Sequence, residues 1–208
     1  QKLLFASSSS IYGDSKKNIS TLISLQETKL KGAHNIENII AASTIANLFG
    51  IKNNHISDAI KNFKPIEHRM EPVMSKLPMQ IINDSKATNI VSTIAAVNCF
   101  NNITLILGGK IKGETDFSEL INHLNDKVNH IICYGDAGKK IHSQVSLHIK
   151  SKYINEFTSA VIKAVSISKK NATILLSPGC ASFDQFKNFE MRGNFFKKII
   201  YSLEQINE

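Results

Sequence analysis

The chain has 208 residues, 42% hydrophobic and 20% charged, ordinary for a globular protein able to bury a sizeable core. No apolar run approaches the ~20 residues a membrane span needs, and the amino terminus lacks the basic, apolar, small-residue order of a signal peptide. The net charge of +8 invites a nucleic-acid reading, but the lysines are scattered, the aromatics are mostly Phe in apolar surroundings, and no recognition motif is present.

The sequence begins with Gln1 rather than Met, as a fragment or a processed chain would. Cys99, Cys133 and Cys180 are odd in number, far apart and without metal-site spacing, so they read as reduced thiols of a cytoplasmic protein. Of the 25 basic residues only Arg69 and Arg192 are arginine. In a chain that uses Lys by default, those two mark positions where a planar, bidentate donor is needed.

In chain order, residues 2–6 read as a strand, followed by a Ser-rich, charged segment to Ser20 and a short strand over 21–25. Lys31-Gly32-Ala33-His34-Asn35 opens a helix carrying Ile36, Ile39, Ile40, Ile45 and Phe49 at helical period, closed by Gly50. A shorter helix over 57–63 starts on a Ser cap. Lys64-Pro65 and Glu71-Pro72 then bracket Ile66-Glu67-His68-Arg69-Met70, which sets a domain junction and divides the chain into residues 1–70 and 71–208.

From Met79 the pattern is regular. Strands over 80–83, 103–107, 130–134 and 172–176, with a weaker one over 147–149, alternate with helices over 88–98, 137–142 and 155–168. A further helix opens at Asp116-Phe117-Ser118-Glu119, and Ser182 with Gln185 reads as a capping box starting the last helix, which runs to Tyr201. Such alternation predicts an α/β fold: a mostly parallel, Rossmann-like sheet with helices on both faces.

In sheets of that kind ligands bind at the carboxyl ends of the strands. The loops leaving that edge span residues 83–88, 108–113, 135–139 and 177–182, and all are polar or Gly-rich. Ammonium groups, hydroxyls and helix N-termini would then meet on one rim, which suits a carboxylate- or phosphate-bearing ligand. Taken singly, each loop reads better as turn formers with solvated lysines; four on one edge favour the ligand. Gly108-Gly109 opens neither a Walker A sequence nor Gly-x-Gly-x-x-Gly, and no triphosphate cradle is recognisable. Cys180 has no His nearby in sequence to activate it as a nucleophile. Asp84 and Lys86 fit either a structural ion pair or a division of labour, Asp84 taking ligand hydroxyls and Lys86 facing a phosphate. His34-Asn35, with Asn38 one turn on, is either capping or contact. His68-Arg69 is either an exposed hinge pair or a phosphate clamp at a domain seam.

Five motifs in order carry a resemblance: His34-Asn35-x-x-Asn38; Glu67-His68-Arg69-Met70-Glu71; Asn83-Asp84-Ser85-Lys86-Ala87-Thr88-Asn89; Leu107-Gly108-Gly109-x-x-Lys112-Gly113-x-x-Asp116-Phe117; and the run from Leu176 through Ser182-Phe183-Asp184-Gln185-Phe186-Lys187-Asn188-Phe189 to Arg192-Gly193. From about Leu30 onward the chain resembles the Mur ligases, and the last motif resembles their D-glutamate-adding members; the Asp-Asn-Pro-Arg signature of the ligase adding the third residue is absent. The resemblance implies a cytoplasmic, monomeric, three-domain enzyme of peptidoglycan precursor synthesis, with residues 1–70 ending its central ATP-binding domain and 71–208 forming its carboxyl-terminal domain. It implies that ATP phosphorylates the carboxylate of UDP-N-acetylmuramoyl-L-alanine and that the D-glutamate amine attacks the acyl phosphate, with Mg²⁺ holding phosphates. It implies nucleotide contacts at Asn35, Asn38, Arg69 and Asp84, a catalytic Lys86, and a D-glutamate pocket of Thr88, Lys112, Ser182 and Phe189. The family's uridine-binding domain, Gly-Lys-Ser/Thr loop, Mg²⁺ ligands and modified lysine are expected upstream of Gln1, so the chain is not expected to turn over alone. No nucleic-acid or membrane partner is implied. The alternatives are a fragment of another Mur or folylpolyglutamate-type ligase, or a non-catalytic anion- or amino-acid-binding module.

Overall fold

A computed structural model describes residues 3–6, 10–15, 18–24, 26–28, 30, 32–64, 66–113, 115–124 and 126–206. Lys2, Leu25, Lys31 and Pro65 lie outside the described residues, as does the His34 side chain. The chain divides into two compact units, residues 1–65 and 66–208, a few residues ahead of the junction expected from the prolines.

In the first unit, β1 (Leu3–Ala6), β2 (Ser10–Ser15) and β3 (Asn18–Ser24) form an antiparallel meander. The Ser-rich, charged segment between the two expected strands thus holds β2 and the start of β3. Ser, Gly and Asp have poor strand propensity, yet β2 bonds to a neighbour on each side, and that ladder overrides propensity. α1 (Ala33–Leu48) ends as expected: Gly50 takes φ +81°, and the Ile51 N–H donates back to Ala46 O at 3.0 Å. α2 (Asn53–Asn62) begins a turn earlier than Ser57, without a side-chain cap. Leu22, Ile23, Ile39 and Ile56 form the small core.

The second unit is built on a six-stranded sheet. Its strands are β4 (Glu71–Val73), β5 (Gln80–Asn83), β6 (Ile103–Gly108), β7 (Val128–Tyr134), β8 (Ser151–Tyr153) and β9 (Thr173–Gly179), in the spatial order β4-β5-β9-β6-β7-β8. All neighbours are parallel except the edge pair β4/β5. Alternation along the strands feeds two cores. Leu105 and Leu107 face α3 (Ile90–Val97), α4 (Ser118–Leu124) and α5 (Gly135–Val145), while Ile106 and Ile174 face α6 (Phe157–Ile167) and α7 (Phe189–Ile206). β6 and β9 are buried along their whole length, as central parallel strands covered on both sides must be.

Two elements differ from the sequence reading. The strand expected at 147–149 sits at Ser151–Tyr153; those apolar residues instead close α5, where His148 and Ile149 N–H groups bond Val145 O. The last helix starts at Phe189, not Ser182. Gln185 does not cap it: its amide accepts from the Phe157 N–H and donates to Asn155 O, while Asn188 caps the helix through the Met191 N–H at 2.7 Å.

α7 crosses the sheet edge at Gly193, whose absent side chain leaves room for the buried His68 ring; a Cβ there would run into the imidazole. Gly193→Ala should therefore destabilise the chain by roughly 1–3 kcal/mol, despite the better helix propensity of Ala, and urea unfolding measures it. Unchanged stability would show that α7 and His68 are not packed in this way.

Candidate functional site

Because β5, β9, β6 and β7 are parallel, the loops at residues 83–88, 179–182, 108–113 and 134–136 leave one edge of the sheet. The backbone ties them together. Gly179 N–H donates to Ala87 O at 3.0 Å, Lys110 and Ala181 exchange both of their backbone bonds, and Ala137 N–H donates to Gly109 O at 2.8 Å. Gly109 has φ +126°, and a Cβ would strike Ala181 O, so only glycine allows this approach.

The strongest tie is a side chain. Arg192, on the first turns of α7, is 0% exposed and the largest fully buried residue. Its Nε donates to Ser85 Oγ at 3.0 Å. Nη2 donates to Ser85 O at 2.8 Å and Cys180 O at 3.2 Å, and Nη1 to Cys180 O and the Tyr134 hydroxyl, both at 3.2 Å. The loops after β5 and β9 and the last residue of β7 thus share one guanidinium, all five of whose N–H groups are used.

A second network anchors the start of the unit. Asn83 Nδ2 lies 2.9 Å from Glu71 Oε2 and 3.0 Å from His68 Nδ1, and Asn83 Oδ1 accepts from the Ser85 N–H, which fixes the amide. Nδ1 then accepts, placing the imidazole proton on Nε2. Burial holds the His68 pKa below its ordinary value, in keeping with a neutral ring. Lys197 closes the network on Glu71 at 3.0 Å.

Asp84, at the end of β5, is 4% exposed. One carboxylate oxygen accepts from the Met70 N–H at 3.1 Å and the other from the Ser177 hydroxyl at 2.8 Å. Burial pushes its pKa up to about 7, against the pull of those hydrogen bonds and of Arg69 and Arg192. It forms no ion pair with Lys86 among the described residues.

The residues singled out from sequence are placed as follows. Lys86 is exposed, with Nζ 5.8 Å from the centroid of the half-buried Phe189 ring. Thr88 is half-buried on the β5 loop, Lys112 exposed on the β6 loop, and Ser182 2% exposed on the β9 loop. Three adjacent strands thus deliver them to one rim. Arg69 is half-buried beside this network, whereas His68 is buried rather than an exposed hinge residue. Asn35, buried, and Asn38, exposed, stand on α1 of the first unit, where Asn38 borders an apolar cleft of about 350 Å³ lined by Leu30, Ile39, Ile56 and Phe63. Cys180 is 2% exposed with its thiol pushed up to about 12 by burial, which leaves no thiolate for nucleophilic work. Sequence reasoning missed Tyr134 and Asp184. Asp184 accepts from the Asp136 N–H at the start of α5 at 3.3 Å, and burial raises its pKa. Among the described residues no three His, Cys, Asp or Glu side chains gather to hold a metal ion.

These features define a doubly wound α/β domain whose carboxyl-edge loops are tied together by backbone and arginine hydrogen bonds. Residues 68–180 match the family described as Mur ligase, glutamate ligase domain. The chain is 39% identical over 198 residues to the UDP-N-acetylmuramoylalanine–D-glutamate ligase of Francisella tularensis subsp. novicida, covering 94% of this chain and 47% of that protein. It is 38% identical over 195 residues to the ligase of the same name from Natranaerobius thermophilus, covering 92% and 41%. Similar solved structures include MurC from Thermotoga maritima, with a TM-score of 0.68 at 13% identity over 99% of this chain and 45% of that one. MurF from Acinetobacter baumannii gives 0.67 at 17% identity over 91% and 42%. The chain belongs to the Mur ligase family, and it spans about half the length of the curated relatives it matches.

Removing the guanidinium leaves two carbonyls and two hydroxyls short of donors in a dry interior. Arg192→Met should cost about 3–5 kcal/mol in urea unfolding, and Arg192→Lys should recover only part of it, since one ammonium cannot span three loops. A loss under 1 kcal/mol in both variants would remove Arg192 as the tie.

Asp84 has a folded pKa near 7 and an unfolded one of 3.8, so the folded state binds the extra proton between them. Its contribution is full below the unfolded pKa, falls by roughly 3–4 kcal/mol as pH rises from about 4 to 7, and is flat above. Asp84→Asn should abolish that part of the pH dependence; identical stability–pH curves for the two proteins would contradict it.

Proposed function

We propose that this chain is the amino-acid-accepting part of an ATP-dependent amide ligase that adds D-glutamate to UDP-N-acetylmuramoyl-L-alanine in peptidoglycan precursor synthesis, working in the cytoplasm as a monomer on small-molecule substrates. The carrying observation is the locked rim, on which Thr88, Lys112 and Ser182 arrive from three adjacent strands with Lys86 beside Phe189. D-glutamate carries two carboxylates and one amine, so its recognition needs two anion grips that leave the nitrogen free. Lys112 and the Ser182 loop supply one grip, Thr88 and the helix N-terminus at Phe189 the other.

In this reading ATP transfers its terminal phosphoryl group to the carboxylate of the first substrate. The D-glutamate nitrogen then forms the C–N bond, the C–O bond to phosphate breaks, and the amine sheds its protons. Lys86 stabilises charge on the transferred phosphate, held in place by Phe189, so its share is positioning and electrostatics. Arg69 meets a nucleotide phosphate, Asp84 meets a ribose hydroxyl, and Asn35 and Asn38 are nucleotide contacts. Mg²⁺ would neutralise phosphate charge in this reaction, and among the described residues no three His, Cys, Asp or Glu side chains gather to hold it. The residue divisions at 1–70 and 71–208 belong to the same proposal, as the end of an ATP-binding domain and the D-glutamate domain.

Titrating D-glutamate into the 208-residue chain, followed by amide chemical shifts, tests the reading. Saturable shifts at residues 86–88, 110–113 and 180–189 are expected, weaker for L-glutamate. Lys112→Ala and Ser182→Ala should each lower affinity about tenfold or more. Equal response to both enantiomers, or binding unaffected by both substitutions, would refute it.

A further inference from the structure

On the amino-terminal edge of the same sheet, away from the rim, lies a cleft of about 670 Å³. Thr104 and Ala172 form its nearly fully buried floor, where the Thr104 and Ser168 hydroxyls lie 2.7 Å apart and Ser168 donates to Ala164 O. The Asn129 amide donates to Asn102 Oδ1 on one wall, so that wall is held without help from a ligand.

The charges that face this cleft come from four segments. Asp126 lies in the turn before β7, His130 on β7, His148 and Lys150 between α5 and β8, and Lys169 after α6. Among the described residues neither Lys150 nor Lys169 makes an ion pair. Both ammonium groups nevertheless act on the half-buried imidazole: burial first, then Lys150 and Lys169, hold the His130 pKa below its ordinary value. Two unpaired cations and a ring that would become a third converge on one polar hollow, with Asp126 the only acid on its wall. Gathering like charges around a partly desolvated ring is unfavourable unless an anion completes the set.

We propose that this cleft is a second site, distinct from the rim, for a small multivalent oxyanion of the pyrophosphate type. A polynucleotide needs a broad basic track with aromatic platforms, whereas only two lysines stand here and none of the wall residues is Phe, Tyr or Trp. An anion seated against Lys150 and Lys169 offsets their field on His130, so binding takes up a proton at the imidazole. Affinity therefore rises as pH falls through the imidazole range.

The probe is inorganic pyrophosphate, titrated into the 208-residue chain at low ionic strength while the His130 ring resonances are followed from pH 5 to 8. Expected are saturable binding, a higher His130 pKa in the bound state, and affinity that falls with added salt. Lys150→Gln with Lys169→Gln should weaken binding about tenfold or more, while Lys52→Gln with Lys198→Gln, equal in net charge and placed elsewhere, leaves it unchanged. His130→Gln should reduce the pH dependence but keep binding. Non-saturable binding, an unmoved His130 pKa, equal loss in both double variants, or a single-stranded oligonucleotide that pyrophosphate fails to displace would each overturn the proposal. D-glutamate binding at the rim is expected to be the same in the Lys150/Lys169 variant, so the two sites fail or stand separately.

Discussion

A buried guanidinium with no carboxylate bonded to it holds the rim together. Burying a charge is costly, and a salt bridge is the usual remedy. Arg192 is satisfied instead by two carbonyls and two hydroxyls, so its charge is spread over five hydrogen bonds. The arrangement is reciprocal. Ser85 O and Cys180 O sit where strands end and loops turn away, positions at which no ladder partner remains, and the fork of the arginine supplies the missing donors. Each loop alone would be a mobile turn at a sheet edge. Fastened to a common plane, they hold the exposed Lys86, the half-buried Thr88 and the buried Ser182 on one side of the sheet edge.

That fastening explains why most of the fold was readable and why some of it was not. Apolar runs at 103–107 and 172–176 announced central strands because burial on both faces leaves no polar position to confuse the period. Arg192 announced itself only by rarity among lysines, and its role became plain once three loops were seen to meet on it. The misplaced start of the last helix has a local cause: Ser182 and Gln185 have the spacing of a capping box, but the Gln185 amide is taken by the first residues of α6, far away in sequence. Residues 147–149 carried a strand's composition, yet the C-terminal turn of α5 consumed them, leaving the weaker Ser151–Tyr153 to pair with β7. β2 was hidden because ladders on both sides, not its own residues, make it a strand.

Asp84 shows the limit of motif reading in another way. The sequence places a carboxylate at a strand end two residues before a lysine, which suggests an ion pair. The backbone turns between them, the lysine goes to solvent over Phe189, and the acid is enclosed by the Met70 N–H and the Ser177 hydroxyl. Nothing local in the sequence marks that enclosure. It follows from β9 lying directly beside β5, a long-range pairing that places Ser177 against Asp84.

Two buried titratable groups, Asp84 and His68, are moved in opposite senses, and both moves favour neutrality: burial raises the acid Asp84 and lowers the base His68. With Glu71 and Lys197 cancelling each other, these shifts leave the field at the rim to side chains that stay in water, Lys86 and Lys112. A charged scaffold carboxylate beneath them would compete with an incoming acid for the same ammonium groups. A positively charged imidazole would hold an anion too deep, against Asn83 and Gly193 rather than at the exposed lip. Among the described residues Arg192 is the one fully buried permanent charge, and all its donors face protein oxygens, so it shapes the rim without binding what lands there. Neutral interior, saturated arginine and free surface lysines thus divide the work between holding the geometry and attracting the ligand.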